Sequence, residues 1–516
     1  MNAIAVKNSV TLETLYEINE SSEEQIKAAF SNAREGFQQL KKTTVKERVE
    51  ALKKVRDVIY ENREKIVDKV ILETGKSRTD ALVSEAMGVL DYADWLIANA
   101  PKILADEKAH TPISLMGKKS KIYHEALGVV LIIAPWNYPF NIAMVSILTA
   151  LAAGNAVVFK PSEITPLNGL IEEMMSASPL LTSSVNVVYG SGITAQRLID
   201  QRPAKIFFTG SARTGKKILS QAANYLIPVE LELGGKDQMV VFDDVNIDRT
   251  VAGCLWGAMT NAGQSCTSVE RVYVQRGIYQ AFVDKLKEEC AKLVLNAGDD
   301  GGADIGGITA DFQLDIIRKQ VEDARAAGAS IIAGGEMLSG ELPFYLPTII
   351  ENATTDMAVM SEETFGPVIT VSPFTTEQEV IDESNNTEFG LSASVWSKDL
   401  VRADRVARAL EVGAVSINNV MLTEGNPALP FGGTKQSGFG RVKGVEGLRG
   451  MTQSKAILVD KQSDKLEANW YPYTRAKYKL FSQFIEALFG NKGLQKWIKF
   501  AVSGIKLESE SQKPRG

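Results

Sequence analysis

Apolar positions recur at helical spacing through the first hundred residues. Ile26, Ala29, Phe30, Ala33, Phe37 and Leu40 mark one face of a helix. Ser21 with Glu24 has the spacing of a capping box at its start, and Thr44 with Glu47 opens a second helix in the same way. Helical patterning continues to about Ile103, and nothing in this layer looks chemical. Lys118 to Ala126 is polar with spaced apolar residues, which predicts an edge hairpin or an arm. From Gly128 the pattern changes. Apolar runs predict strands at 129–134, 156–160, 185–189, 205–208 and 229–233, separated by segments mostly of helix length. Repeated strand–helix–strand units imply a parallel sheet covered on both faces. In such sheets ligands sit at the carboxyl ends of the strands. An apolar helix at 251–259, a strand at 269–274 and a second mixed α/β region reaching about Leu422 complete the prediction.

Composition narrows the class. The chain has 516 residues, enough for roughly two to three domains of about 150 residues. It is 45% hydrophobic and 23% charged, as expected of a globular chain with large cores. A net charge of -6 argues against general nucleic-acid binding. No apolar run approaches the roughly 20 residues of a membrane span. Residues 1–10 lack the apolar stretch of a signal peptide, so a cytoplasmic location is expected. The three cysteines, Cys254, Cys266 and Cys290, have no spacing for a disulfide framework or a zinc site. The only histidines are His110 and His124, read here as structural. A multi-histidine metal site is thus nearly excluded, and no metal is expected. If a cysteine is a nucleophile here, its base is a carboxylate.

Polar and glycine-rich motifs fall at the predicted strand ends. Residues 261–267, Asn-Ala-Gly-Gln-Ser-Cys-Thr, place Cys266 between helix and strand, where a thiol can meet a substrate on one side and a cofactor on the other. A lone cysteine is also commonly an inert core residue. In Ala134-Pro135-Trp136-Asn137-Tyr138-Pro139, Asn137 offers either an amide to an oxyanion or a structural turn. Lys160-Pro161-Ser162-Glu163 reads as a clamp for a diol such as ribose, or as a surface ion pair. Phe208-Thr209-Gly210-Ser211-Ala212-Arg213-Thr214-Gly215 is a turn entering a helix, an anion site without the dinucleotide fingerprint or a P-loop lysine. In Glu232-Leu233-Gly234-Gly235-Lys236, the glutamate is either a general base with a pKa raised by burial or a partner of Lys236.

Taken in order, these motifs, with Glu362-Glu363-Thr364-Phe365-Gly366-Pro367, Pro430-Phe431-Gly432-Gly433 and Ser437-Gly438-Phe439-Gly440-Arg441, are highly specific. Over residues 20–460 the chain resembles the aldehyde dehydrogenase superfamily, nicotinamide-dependent enzymes that oxidise aldehydes to acids. The resemblance implies an α/β fold: a Rossmann-type parallel-sheet cofactor domain (1–106 and 126–235), an α/β catalytic domain (236–436) and a small β oligomerisation arm (107–125 and 437–461). It implies Cys266 as nucleophile, Glu232 as the base that activates water, and Asn137 with the Cys266 N–H as oxyanion donors. Trp136, Lys160, Ser162, Glu163, Gly210, Ser211, Thr214, Glu363 and Phe365 become cofactor-binding residues. Glu163 beside the adenosine ribose favours NAD, with NADP still open. The presence of Glu232 favours hydrolysis of the thioester over its transfer to coenzyme A. The arm implies a homodimer or homotetramer.

Residues 462–516 extend past the usual family core. Phe481, Phe484, Ile485 and Leu488 repeat at helical spacing, as do Leu494, Trp497, Ile498 and Ala501, with Gly490-Asn491-Lys492-Gly493 between them. Between Trp470 and Lys506 there are seven Lys or Arg and one Glu, a local charge of +6. Such aromatic, basic, amphipathic helices suit peripheral contact with a membrane through 470–506, or packing on the enzyme or a neighbouring subunit. Residues 508–516 are expected to be disordered. Membrane contact would favour long-chain, terpenoid or aromatic aldehydes. The alternatives are an NADP-using semialdehyde dehydrogenase acting on a small charged substrate, and a non-catalytic family member.

Overall fold

The computed structural model describes residues 3–296, 301–338, 343–460, 464–490 and 493–513. They divide into two compact units, one of residues 1–105 and 124–454, the other of residues 106–123 and 455–516.

The larger unit carries two sheets. The six-stranded sheet runs in the order Gly438–Phe439, Val229–Glu232, Lys205–Thr209, Val129–Ile133, Ala156–Lys160, Val185–Val187, parallel except for its first pair. Its central strands are mostly apolar because both faces meet a core, with Lys160, Lys205 and Thr209 at strand ends as the exceptions. Val130, Ile132, Val157 and Phe159 join the core under helices Val45–Glu61, Gly88–Ile103 and Asn141–Ala152. Their neighbours Leu131, Ile133 and Val158 pack with Ile26, Phe30 and Ala33 of helix Glu23–Leu40. All five predicted strands form, several shorter by one or two residues. The seven-stranded sheet runs Ser330–Ala333, Thr348–Glu351, Val368–Phe374, Val269–Gln275, Asp237–Val241, Ser392–Trp396, Ala414–Ile417, with only the first pair antiparallel. The expected boundary at 235 falls in the Gly234-Gly235 link between the two sheets.

Some elements differ from expectation. The capping box of the first helix uses Ser22 and Gln25, one residue on from Ser21 and Glu24. Both frames of Ser-Ser-Glu-Glu-Gln carry the pattern, and the Ser21 hydroxyl instead accepts from the Tyr189 amide at 3.2 Å. An antiparallel hairpin, Ala3–Lys7 with Thr14–Asn19, precedes that helix and was not predicted. Residues 437–454 were expected with the arm, but Gly438–Phe439 pairs with Leu231 and Glu232 at the edge of the six-stranded sheet.

The smaller unit holds most of a three-stranded sheet in the order Thr452–Val459, Lys119–Ala126, Glu107–Ala109. It also holds helices Arg475–Ile485 and Leu494–Ser511. The turn residues Asn491 and Lys492 and the Leu494 side chain lie outside the described ones. The first apolar run packs largely inward, through Phe484 and Leu488. The second does not: Trp497, Ile498 and Ala501 face outward, and the inner face is Phe500, Ser503, Leu507 and Ser511. Serines make half of that face, so hydrophobic spacing pointed to the wrong side. Residues 508–511, expected to be disordered, continue the helix; 514–516 lie outside the described residues.

Candidate active site

Cys266 lies just before strand Val269–Gln275, at the end of a tight turn. Asn261, Ala262 and Gly263 all have positive φ, at 50°, 55° and 71°. A Cβ on Gly263 would collide with the Gly366 carbonyl oxygen, so only glycine fits there. Ser265 and Thr267 are buried, whereas Cys266 itself is partly exposed. Burial pushes its thiol well above the ordinary range, and the carboxylates of Glu424, Asp237, Glu363 and Glu232 add to that.

Asn137 stands in the turn after Val129–Ile133 and is buried. Its side-chain Nδ2 donates to the Gln264 carbonyl at 2.9 Å. A primary amide has two hydrogens, so one is left to donate elsewhere. Gln264 is held in turn: its Nε2 donates to the Asn261 carbonyl at 2.9 Å, and its Oε1 accepts from the Thr309 amide at 2.9 Å.

Glu232 ends a strand against Gly432, where a Cβ would come within 2.9 Å of Glu232 Oε1. Both of its carboxylate oxygens are buried without a hydrogen-bond partner. Burial, then the charge of Glu230, raises its proton affinity well above that of an ordinary glutamate. The alternative partner, Lys236, is taken: its ammonium bonds Glu270 and, at 3.0 Å, Thr364 Oγ1.

Most of the remaining predicted residues follow the carboxyl ends of three strands, while Glu363 and Phe365 lie in the loop before strand Val368–Phe374. After Ala156–Lys160, the buried Lys160 ammonium donates to the Pro161 carbonyl at 2.9 Å and to Glu163 Oε2 at 3.3 Å, while the Glu163 carboxylate stays partly exposed. The Ser162 hydroxyl accepts from the Ile164 amide at 3.2 Å, a turn bond. After Lys205–Thr209, Gly210 N–H donates to the Glu232 carbonyl at 3.0 Å, and Ser211 caps helix Ala212–Ala223 by accepting from the Thr214 amide. Trp136, after Val129–Ile133, meets the Phe365 ring edge-on at 5.4 Å. Glu363 is tied to the thiol side of this arrangement: its Oε1 accepts from the Gly235 amide at 3.1 Å. Burial, then Glu270, lifts its pKa to about 8.

Strand order reverses between Val129–Ile133 and Lys205–Thr209, and their carboxyl ends flank the crevice where doubly wound sheets take dinucleotides. The first-turn N–H groups of helix Ala212–Ala223 suit an anion. These residues fit a dinucleotide.

Three groups at the site gave no signal in the hydrophobic pattern. Glu424 accepts from Thr267 Oγ1 at 3.0 Å, beside the nucleophile position. The Lys443 side chain donates to the Glu424 carbonyl, and burial holds its pKa below the ordinary lysine range against the opposing pull of Glu424 and Cys266. Lys76 and Glu85 form a fully buried ion pair of 2.7 Å under Asn137. Each pairing is tertiary, and only spacing in the fold brings the partners together.

Known proteins resemble this chain over most of its length. The model of the aldehyde dehydrogenase family matches residues 1–457. A 4,4'-diapolycopene aldehyde oxidase of Methylomonas sp is 40% identical over 453 residues, 87% of this chain and 84% of that protein. A mitochondrial succinate-semialdehyde dehydrogenase of Oryza sativa subsp. japonica is 34% identical, covering 85% of this chain and 82% of its own. Among solved structures, betaine aldehyde dehydrogenase from Staphylococcus aureus in complex with NAD+ superposes with a TM-score of 0.86 at 33% identity, over 92% of this chain and 96% of the other. The NAD+ complex of an aldehyde dehydrogenase from Bacillus cereus gives 0.84 at 32%, over 89% and 94%. With its two largely parallel sheets, the chain belongs to the aldehyde dehydrogenase family of oxidoreductases.

Proposed function

We propose that this enzyme oxidises hydrophobic aldehydes (long-chain, terpenoid or aromatic) to carboxylic acids with NAD, through a covalent adduct on Cys266. One observation carries the reading: Glu232 is a buried carboxylate with no partner, in a site that also holds a thiol and a spare amide hydrogen.

In this reading Glu232, with its raised proton affinity, takes the thiol proton. The Cys266 sulfur adds to the carbonyl carbon, and the carbonyl electron pair moves to oxygen. The second Asn137 amide hydrogen and the Cys266 N–H hold that oxyanion. Lys160, Ser162 and Glu163 would hold the adenosine ribose, Gly210, Ser211 and Thr214 the pyrophosphate, and Glu363 and Phe365 with Trp136 the nicotinamide end. Bound there, the dinucleotide supplies the hydride acceptor that converts the thiohemiacetal into a thioester. Glu232 then releases the thiol proton to solvent and takes a proton from water, the hydroxide attacks the thioester carbon, and Cys266 leaves as thiolate. A carboxylate at Glu163 accepts ribose hydroxyls and repels a 2′-phosphate, which supports NAD over NADP.

The diapolycopene relative supports a terpenoid-like substrate. So does Glu424, a carboxylate near the thiol that opposes a second one on the substrate. The second reading, an NADP-using semialdehyde dehydrogenase on a small charged substrate, is favoured by Lys443, an ammonium at the same place. Cofactor and catalytic domains would correspond to the six- and seven-stranded sheets, and the three-stranded arm to a homodimer or homotetramer contact. Three unpaired cysteines, one of them working, fit a reducing, cytoplasmic compartment. Residues 470–506 would give the enzyme peripheral contact with a membrane.

The test is NADH and, separately, NADPH production with acetaldehyde, succinic semialdehyde, decanal and benzaldehyde, using Cys266→Ala as control. Turnover of decanal or benzaldehyde with NAD that vanishes in the variant is expected. Turnover confined to succinic semialdehyde overturns the substrate class in favour of the second reading.

A further inference from the structure

Helix Leu494–Ser511 has two faces of different kinds. Its inner face is buried through Phe500, Ser503, Leu507 and Ser511. The Phe500 ring lies 4.8 Å from that of Phe484 in helix Arg475–Ile485, and Ala487, Leu488 and Ile113 complete a small core. This packing needs nothing from the opposite side. There Trp497, Ile498, Ala501, Val502 and Ile505 are exposed, Ile498 at 60% and Ile505 at 67%. At 100° per residue these five fall within about 140° of the helix circumference, one continuous stripe. Near the turn between the helices, Ile485 and Phe489 add exposed apolar surface, at 56% and 78%.

Charge decides what covers the stripe. Lys499 and Lys506 fall along one of its edges, and Lys496 places its ammonium 5.6 Å from the Trp497 ring. The stripe ends at Glu508, whose carboxylate is paired with Lys465 at 2.6 Å. A second copy would bring the same lysines against these ones. A surface of anionic headgroups over acyl chains complements both the lysines and the stripe. The preceding segment presents Trp470, Tyr471 and Tyr473, each more than half exposed, residue types favoured at a membrane–water boundary. No helix among the described residues is long and apolar enough to cross a membrane, so the geometry is that of a helix lying in the interface. The segment also lies beyond residue 457, where the family match ends.

We infer that the Trp497–Ile505 stripe, extended by Ile485 and Phe489, docks on an anionic lipid bilayer and holds the enzyme where apolar aldehydes partition. This deepens the peripheral contact proposed for 470–506 and rests on it.

The test is co-sedimentation of the full chain with vesicles of phosphatidylcholine alone or mixed with phosphatidylglycerol. The wild type sediments with the mixed vesicles at least about tenfold better than with the neutral ones. The variant Trp497→Ser/Ile498→Ser/Ile505→Ser, altered only on the exposed face, stays in the supernatant, and Lys499→Glu/Lys506→Glu binds less. A wild type that ignores both vesicles, or a triple variant that sediments equally well, overturns the inference. So does a triple variant whose only change is a smaller oligomer by sedimentation velocity. NADH production from acetaldehyde or benzaldehyde, followed in the same samples, stays unchanged. Its absence in the wild type would break the enzymatic reading and leave the vesicle result standing.

Discussion

The Lys76 ammonium donates to the backbone carbonyl of Asn137 at 2.9 Å. The same ammonium pairs with Glu85 at 2.7 Å and sits 4.1 Å from the centre of the Tyr138 ring. The other Glu85 oxygen accepts from the Phe140 and Asn141 amides at 3.1 and 2.7 Å. Both ends of one buried ion pair therefore hold the turn that aims the Asn137 amide. Lys76→Met strands a buried carboxylate, and a loss of about 3–5 kcal/mol is expected in thermal or denaturant melts. Lys76→Met/Glu85→Leu removes that penalty and recovers stability. It does not restore the turn, so its kcat stays about 10–100-fold down, with the aldehyde KM little changed. A double variant with wild-type kcat would make the pair merely structural.

Glu232 is predicted to act twice, first on the thiol and then on water. Glu232→Gln lowers steady-state kcat by about 10²–10⁴-fold. The first burst of NADH should survive but rise more slowly, because the thiol has lost its base and the acyl-enzyme, once formed, waits. The base works deprotonated, and burial raises its pKa, so wild-type kcat falls with decreasing pH already above the ordinary carboxylate range. Stopped-flow bursts and a kcat–pH profile check both points. Full steady-state turnover in the variant removes Glu232 from this role.

Gly263→Ala tests the turn that presents the thiol. The left-handed backbone alone costs a side chain about 1–3 kcal/mol, and here the new Cβ also meets the Gly366 carbonyl. A lower melting temperature and a reduced NADH burst are expected together. A variant with normal stability and burst would show that the turn relaxes freely.

How much of this could be read from the chain depends on where each interaction is made. Strands such as Ala156–Lys160 were legible because both faces are covered, so that every position before the terminal lysine is apolar. The Thr44–Glu47 capping box was legible because its partners are three residues apart. Cys266, Asn137 and Glu232 stood out through their place at strand ends within a recognisable order of motifs. Lys76 and Glu85 carry no such mark, since their value comes from Asn137, 61 residues from Lys76. The two-residue strand Gly438–Phe439 is too short for any period. The inner face of helix Leu494–Ser511 hid behind its serines.

Glu363 links the site to stability. Its carboxyl is raised from 4.5 to about 8, first by burial and then by Glu270, against the opposing pull of the Gly235 amide and Lys236. Between about pH 4.5 and 8 the folded chain keeps a proton that the unfolded chain has lost. Stability from this group therefore falls as pH rises through that window and is flat on either side of it. Glu363→Gln removes the titration yet keeps an oxygen for the Gly235 amide at 3.1 Å. Subtracting wild-type melts from those of the variant cancels the other titrating groups. The difference in melting temperature should be small near pH 5 and grow in favour of the variant up to pH 8. Parallel curves across that range would mean that Glu363 titrates like an ordinary glutamate, and that the pocket around Gly234 and Gly235 admits water.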